Sequence, residues 1–234
     1  MKNELKTLAA YLEKYGVTVD NSLFDGLLRF TDLLLDRAEK VNLTAIKDPH
    51  GVMIKHYLDS LIPLSLFDFP QNAGVIDVGC GAGFPSTPLG LARRDLRITQ
   101  LDSLKKRVTF LEDVSRELSL GFNAIHARAE DAARTGLRDS FDIAVSRAVA
   151  PLPVLCEYCL PFVKPGGVML AYKGAAEEDA AAAIKALSAK TEDVISYELP
   201  ENAGERRLVV IRKLAPTHPI YPRSSKNMSK GAIK

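Results

Sequence analysis

Hydrophobic side chains recur every three or four positions through the first 70 residues, which is the spacing of amphipathic helices. Asp20 is a candidate N-cap for one helix, because its carboxylate can accept hydrogen bonds from the first turn. A second helix is predicted to begin at Asp48-Pro49, a cap residue followed by proline at the first helical position. The inward positions of these helices are Leu23, Leu27, Phe30, Leu34, Ala38, Ile54, Leu58, Leu61 and Ile62. We therefore expect residues 1–70 to form a helical extension packed on the core.

From Gly74 the pattern changes to short apolar runs that alternate with helical segments. Repeated strand–helix units form parallel sheets with helices on both faces. The last two runs are joined by Pro-Glu-Asn-Ala-Gly-Glu, which is short enough for an antiparallel hairpin. The predicted strands are Val75–Val78, Arg97–Asp102, Phe122–His126, Phe141–Ser146, Gly167–Tyr172, Val194–Leu199 and Arg207–Lys213. The predicted fold class is α/β: a doubly wound, mostly parallel seven-stranded sheet with a terminal antiparallel hairpin, over residues 71–214.

Two segments near the C-terminus are predicted from their composition. The alanine-rich stretch Ala175–Lys190 favours a helix, and residues 215–234 form a basic tail that we expect to be flexible. After Glu205 the chain has eight Lys and Arg residues and no acid. A basic end suits a polyanion such as RNA, whereas a solvated tail that aids solubility explains the charge equally well.

Composition and charge exclude several classes of protein. The 234 residues are 47% hydrophobic and 26% charged, with a formal net charge of +2, as in ordinary globular proteins. No apolar run approaches the ~18–20 residues of a membrane helix, and Glu4 and Glu13 interrupt the region where a signal peptide would be apolar. Cys80, Cys156 and Cys159 suggest neither a disulfide framework nor, without further ligands, a zinc site. We expect a cytoplasmic protein without membrane contact.

A glycine-rich turn follows the first predicted strand. Gly79, Gly81 and Gly83 form a G-x-G-x-G pattern, which permits a tight turn and close approach of a ligand to the backbone. Dinucleotide enzymes have G-x-G-x-x-G and a helix N-terminus aimed at a pyrophosphate, so this spacing suits a ligand without phosphates. Asp102 ends the next strand, 23 residues after Gly79, where a carboxylate can accept hydrogen bonds from ribose hydroxyls. Together these features favour a cofactor that contains a nucleoside.

The glycine turn resembles that of class I methyltransferases, and further motifs narrow the resemblance. In order along about residues 40–175, these motifs are Asn42-Leu-Thr, His56-Tyr-Leu-Asp-Ser-Leu, Asp77-Val-Gly-Cys-Gly-Ala-Gly-Phe-Pro, Asp102-Ser-Leu-Lys-Lys-Arg, Arg128-Ala-Glu and Ser146-Arg-Ala. They resemble the bacterial small-subunit ribosomal RNA methyltransferase G family, once called glucose-inhibited division protein B. The resemblance implies a Rossmann-like fold and a monomer that uses S-adenosylmethionine and no metal. It also implies methylation at N7 of one guanine in 16S ribosomal RNA, as free RNA or within the small subunit.

The resemblance also implies a cofactor site. Gly79 and Phe84 would line the methionine end, Ala129 and Glu130 would meet the adenine, and Arg147 would complete the pocket. From the residues alone, Glu130 is equally well a solvated acid. Arg147 could be a partner in a surface ion pair, but its place opposite the crossover point of the sheet favours a function. The predicted cofactor residues are Asp77, Gly79, Gly81, Gly83, Phe84, Asp102, Ser103, Ala129, Glu130 and Arg147.

Four residues are candidates for contact with RNA. His56 shares a helix face with Asp59 and Ser60, so this cluster could hold RNA or orient a base, although a partly buried histidine is the simpler reading without the resemblance. Lys173 follows the last parallel strand and could contact a phosphate, or could be an ordinary lysine at a strand end. The complete set of candidates is Asn42, His56, Lys173 and Arg223.

The expected mechanism is positioning of the substrate, because guanine N7 carries a lone pair and no proton at neutral pH. Arg147 and His56 would hold the guanine, without acid–base or covalent catalysis. The sequence agrees, since it has neither an Asn-Pro-Pro-Tyr motif after Ser146 nor a Pro-Cys pair for attack on cytosine. Three alternatives stay open: a methyltransferase of the same fold acting on a small molecule or protein, a silent RNA-binding module, and, least favoured by the glycine spacing, an NAD-binding oxidoreductase.

Overall fold

The computed structural model of the chain describes residues 2–41, 43–46 and 48–233. Its seven strands are β1 Gly74–Val78, β2 Arg97–Asp102, β3 Asn123–His126, β4 Phe141–Arg147, β5 Val163–Gly174, β6 Ala189–Leu199 and β7 Gly204–Lys213. The helices are α1 Lys2–Lys14, α2 Asn21–Val41, α3 Pro49–Val52, α4 Asp59–Leu61, α5 Pro63–Leu66, α6 Ser86–Ala92, α7 Lys105–Glu117, α8 Ala129–Ala132, α9 Leu152–Cys159, α10 Ala181–Ala186 and α11 Ser225–Met228. A π-helical turn, Met53–Leu58, connects α3 to α4, and a 3₁₀ turn, Leu160–Phe162, follows α9.

The strands form one sheet in the order β3-β2-β1-β4-β5-β7-β6. Strands β1 to β5 run parallel, whereas β7 is antiparallel to both β5 and β6. The predicted fold class is therefore confirmed. The strand order reverses between β1 and β4, and ligands in open α/β sheets bind outside the carboxyl ends of the strands at such a point.

Each face of the sheet carries its own hydrophobic core. The N-terminal helices cover one face, where Leu12, Leu27 and Phe30 are fully buried together with the inward side chains of β1, β4 and β5. Asp20 caps α2 by accepting from the Leu23 N–H at 2.7 Å. Gly26 permits close packing of α2 on α6, because a Cβ there would lie 2.6 Å from the Leu91 side chain.

The second face is covered by helices from the C-terminal half of the chain. α9 and α10 pack there, and Cys156 and Cys159 are fully buried among apolar side chains, free of disulfide bonds. In the part of the chain that the structure describes, no helix is long and apolar enough to cross a membrane.

The alanine-rich segment differs from its prediction. Only Ala181–Ala186 is helical, and β6 already begins at Ala189. Ser188 has a left-handed φ of 56°, which ends the helix. Residues from Ala189 to Leu199 then pair with β7 along the whole hairpin. Of the predicted helix, Ala189 and Lys190 instead pair with β7, and residues 175–180 lie in neither a helix nor a strand.

The C-terminal tail also differs from the expected flexible segment, because it lies against the core. Arg138 donates hydrogen bonds to the carbonyl oxygens of Thr217 at 2.6 Å and Tyr221 at 2.9 Å. Arg223 donates to the buried carboxylate of Glu157 through its backbone N–H and its guanidinium. Met228 in α11 is buried. The domain limits at residues 70 and 215 stay predictions.

Candidate cofactor pocket and substrate cleft

The glycine turn between β1 and α6 has a backbone that requires glycine. Gly79, Gly81 and Gly83 have φ angles of 74°, 59° and 94°, in or beyond the left-handed region that side chains disfavour. A Cβ at Gly79 would lie 2.5 Å from a methyl group of Val149, and one at Gly83 would lie 2.5 Å from the Thr87 hydroxyl. The turn therefore combines left-handed backbone conformations with close approach of neighbouring side chains, and the approach of a ligand to it stays a prediction.

Asp102 fixes this turn to the end of β2. Its buried carboxylate accepts hydrogen bonds from the backbone N–H groups of Gly81 at 3.0 Å and Leu104 at 2.9 Å. Arg107 lies 3.4 Å away and adds a cation. The carboxylate is thus held in one orientation at the edge of the turn, where its contact with ribose stays a prediction.

A cavity of about 210 Å³ opens beside Asp102 at the carboxyl ends of β1 and β2. Five predicted cofactor residues line it together: Gly79, Asp102, Ser103, Ala129 and Glu130. The lining also includes Val149 and Tyr158, which the sequence analysis did not single out. Neither has a local sequence signal, because the fold brings both from the segment after β4.

Asp77 lies beneath the turn and is fully buried. Its Oδ2 accepts from the Ser86 N–H at 3.2 Å, whereas its Oδ1 has no hydrogen-bond partner among the described residues. Burial raises the pKa of this carboxyl to about 7. A ligand that brings a donor or a positive charge to this oxygen would relieve the energetic cost of burying it without a hydrogen-bond partner.

Arg147, at the end of β4, is held by the N-terminal extension. Its Nη1 donates to the Lys55 carbonyl at 3.0 Å and to Asp59 Oδ2 at 2.9 Å, and its Nη2 donates to His56 Nδ1 at 2.9 Å. All three partners belong to the π-helical turn or the first residue of α4. π-Helical turns occur frequently at functional sites.

His56 is neutral in this arrangement. Burial, assisted by the Arg147 cation, lowers its pKa to about 3. Since Nδ1 accepts from Arg147, Nε2 carries the proton and donates to Thr44 Oγ1 at 2.9 Å. The imidazole also stacks on Phe84, with ring centroids 4.4 Å apart and planes at 16°. Phe84 thus supports His56 and is absent from the lining of the cavity beside Asp102.

Asp59 joins three parts of the fold. Its carboxylate is 5% exposed and pairs with Arg147, with the Tyr197 hydroxyl at 3.0 Å and with Arg206 Nε at 3.5 Å. The sequence analysis placed Asp59 beside His56 but did not find its partners in the hairpin. Tyr197 and Arg206 lie far from Asp59 along the chain, so no local sequence pattern links them to it.

A second cavity of about 360 Å³, here called the substrate cleft, opens over this cluster. Its lining includes His56, Asp59, Arg147, Lys173 and Arg206. Lys173 donates to the Ala150 carbonyl at 3.0 Å and pairs with Glu178 at 2.7 Å.

The remaining two RNA candidates lie elsewhere. The guanidinium of Arg223 is paired with buried Glu157 at 2.7 Å and anchors the tail. The neighbouring Ser225 hydroxyl donates to Glu130, so the tail also contacts the cofactor cavity. Asn42 lies outside the described residues.

The sheet order, the glycine turn and the cavity at the reversal of strand order define the class of protein: the chain has the fold of class I methyltransferases. A solved S-adenosylmethionine-dependent methyltransferase from Aquifex aeolicus superposes with a TM-score of 0.54 at 14% identity, covering 76% of this chain and 97% of that one. The [4+2]-cyclase SpnF gives a TM-score of 0.55 at 14% identity, covering 83% and 96%. At such identities the likeness shows the fold alone.

Sequence relatives identify the family. The model of the rRNA small subunit methyltransferase G family, GidB, matches residues 24–210. Proteins named Ribosomal RNA small subunit methyltransferase G are 43% identical in Alkaliphilus oremlandii, covering 94% of both chains, and 41% identical in Geobacillus kaustophilus, covering 95% of this chain and 96% of that one. The chain belongs to this family, as its motifs predicted.

Proposed function

We propose that this protein transfers the methyl group of S-adenosylmethionine to N7 of a guanine in 16S ribosomal RNA. Beyond family membership, the observation that carries the proposal is the substrate cleft itself. Its central cation, Arg147, is fixed by three hydrogen bonds, and its imidazole, His56, is held neutral with both nitrogens engaged. Such a cleft suits a base that must be held but not deprotonated.

The residues around the glycine turn fit the cofactor. The cavity at Asp102, Ser103, Ala129 and Glu130 would hold its nucleoside. The unpaired Oδ1 of Asp77 fits a cofactor that carries an amino group. When bound, S-adenosylmethionine supplies a methyl group that its sulfonium already activates. Among the described residues no group of three or more His, Cys, Asp and Glu is placed to hold a metal, and the proposed reaction involves none.

The chemistry at N7 asks little of the protein beyond alignment. The N7 lone pair carries no proton, so the reaction needs no general base. With a pKa of about 3, His56 is a poor base at neutral pH. The contribution of the chain is therefore to hold the guanine in line with the methyl group and to exclude water, which supplies a large part of many catalytic rate enhancements.

Arg147 is the residue proposed to hold the guanine, and His56 fixes the orientation of the Arg147 guanidinium. A guanidinium has five N–H donors. Three of these N–H groups donate to Lys55, His56 and Asp59. The other two donate to no described residue in these hydrogen bonds. These two suit an acceptor on the guanine edge, such as O6.

The RNA partner is proposed from the charge around the cleft. Lys55, Lys173, Arg147 and Arg206 line it and outnumber the two acids, Asp59 and Glu178. Lys226 and Lys230 of the tail are exposed as well. Phosphate contacts of this kind dominate affinity for nucleic acids and weaken with salt. The proposed substrate is 16S RNA or the small subunit, bound by a monomer in the cytoplasm, where ribosomes are located.

The test uses labelled S-adenosylmethionine with 16S RNA, or with small subunits from cells that lack the enzyme. We expect transfer to one guanine, marked as N7 by strand cleavage after borohydride and aniline. Calorimetric binding of the cofactor without transfer to either RNA form would contradict the proposal. In that case the same fold would act on a small molecule or a protein.

A further inference from the structure

A third cavity, which we call the flanking pocket, lies next to the substrate cleft. Its volume is about 600 Å³, within the range of ligand pockets. It is formed by the loop after β5, by α10, and by β6 and β7. It shares Lys173 and Glu178 with the substrate cleft. The two cavities are therefore neighbours on one surface, and the function proposed above uses only one of them.

The flanking pocket combines an apolar floor with an unsatisfied donor. Leu152, Ile184 and Val209 are buried and supply the floor. Arg207 lines the wall, where its Nη1 contacts Glu177 at 3.0 Å. Its buried Nε has no hydrogen-bond acceptor among the described residues and lies 3.8 Å from the carboxylate of Glu205.

The charges in the pocket disfavour a phosphate. Glu177, Glu178 and Asp179 outnumber the two cations, Lys173 and Arg207. Carboxylates accept hydrogen bonds from amino groups and repel anions. A flat, uncharged ring with acceptors and an amino group on its edge meets the apolar floor, the guanidinium of Arg207 and the carboxylates together. Nucleobases have this chemistry, and they stack on guanidinium planes in RNA-binding proteins.

We propose that the flanking pocket binds the base of a nucleotide next to the methylated guanine. This inference rests on the proposed function, since it extends the RNA-binding surface by one base. The Lys173–Glu178 ion pair at 2.7 Å stands between the two cavities and would separate the two bases. Single-stranded RNA is recognised through such splayed bases, each bound in its own pocket.

Two neighbouring alanines on α10 provide a matched test. Both are exposed, but Ala181 lines the flanking pocket and Ala182 does not. Ala181→Trp would fill the pocket, and Ala182→Trp is the control. Methyl transfer would be measured with a 16S RNA fragment and with two versions of it that lack the base on the 5′ or the 3′ side of the target guanine.

For the intact fragment we expect Ala181→Trp to raise KM for RNA by about tenfold, within the range for loss of one stacked base. The affinity for cofactor should stay unchanged, and Ala182→Trp should behave as wild type. With one of the two abasic fragments, the difference between the variants should disappear.

Equal KM values for both variants on the intact fragment would overturn the inference. So would a difference that persists on both abasic fragments, because the pocket would then bind something other than a flanking base. Both outcomes leave the proposed function intact, because wild type still methylates RNA. Absence of transfer by wild type to the fragment, to 16S RNA and to small subunits would instead refute the proposed function, and the flanking pocket with it.

Discussion

The cofactor cavity and the substrate cleft lie side by side but are assembled differently. The cavity is lined by Gly79 of the glycine turn and by residues at or after the ends of neighbouring strands, and Asp102 accepts a hydrogen bond from the turn. The cleft is built from charged side chains of remote segments: Asp59 of the extension, Arg147 of the sheet and Arg206 of the hairpin. The predicted residues of the cavity thus lie at or after strand ends, where local sequence signals occur, whereas the residues of the cleft meet only in the complete fold.

The largest expected effect comes from removing the charge at the centre of the cleft. Asp59→Asn leaves Arg147 and Arg206 without their carboxylate, and breaking a buried ion pair typically costs about 3–5 kcal/mol of stability. Urea unfolding measures this loss. As a control, Asp36→Asn breaks an exposed contact with Arg37 at 3.7 Å and should change stability by less than about 1 kcal/mol.

If the two sites are independent, folded Asp59→Asn protein should still bind cofactor with wild-type affinity while its transfer to RNA falls. Loss of cofactor affinity to the same extent as loss of transfer would show that the comparison between the two sites is wrong.

Asp102→Ala is expected to have the opposite effect, impairing the cofactor cavity while sparing the substrate cleft. Loss of two hydrogen bonds to ribose should weaken cofactor binding by about 2–3 kcal/mol, while RNA binding is retained. Calorimetry with the cofactor and filter binding with RNA give the two readouts. Unchanged cofactor affinity would remove Asp102 from the cofactor site.

Arg147 tests to which of the two sites it belongs, because it was predicted both to bind the cofactor and to hold the guanine. Arg147→Lys keeps the charge but loses the planar fork that reaches Lys55, His56 and Asp59. We expect KM for RNA to rise by about tenfold, or about 1.4 kcal/mol, with cofactor affinity unchanged. A weakened affinity for cofactor would instead assign Arg147 to the cofactor cavity.

An effect of similar size is expected from the protonation of His56. Its folded pKa is lowered to about 3, whereas an unfolded histidine titrates near 6.5. As pH falls below about 6.5 the unfolded chain gains a proton that the folded chain does not, so stability is lost. Between pH 7.5 and pH 5, wild type should lose about 1–2 kcal/mol more than His56→Gln in urea unfolding. Equal losses would show that His56 is protonated in the fold.

The sequence predicts most of this molecule where the signals are local. The limits of β2, Arg97–Asp102, agree with the prediction, and the glycine turn has the backbone that its spacing implies. The start of β6 at Ala189 was not predictable, because helix-forming residues there pair with β7.

The same contrast holds for the site. Five predicted cofactor residues meet in one cavity because all of them follow strand ends. Arg223, in contrast, was predicted from its charge, and its buried partner Glu157 lies 66 residues away with no signal that links the two. Local periodicity and glycine spacing are recorded in a sequence, whereas pairing between remote charges is decided by packing.

The position of Asp59 has a consequence for how the protein folds during its synthesis. A ribosome makes the chain from its N-terminus, and Tyr197 follows its hydrogen-bond partner Asp59 by 138 residues. The glycine turn and its neighbouring strands leave the ribosome long before the hairpin does. Because domains generally fold as units, Asp59 can meet Tyr197 and Arg206 only after β6 and β7 have left the ribosome. The part of the substrate cleft that Asp59 and Arg206 form is therefore completed later than the strands around the glycine turn are made.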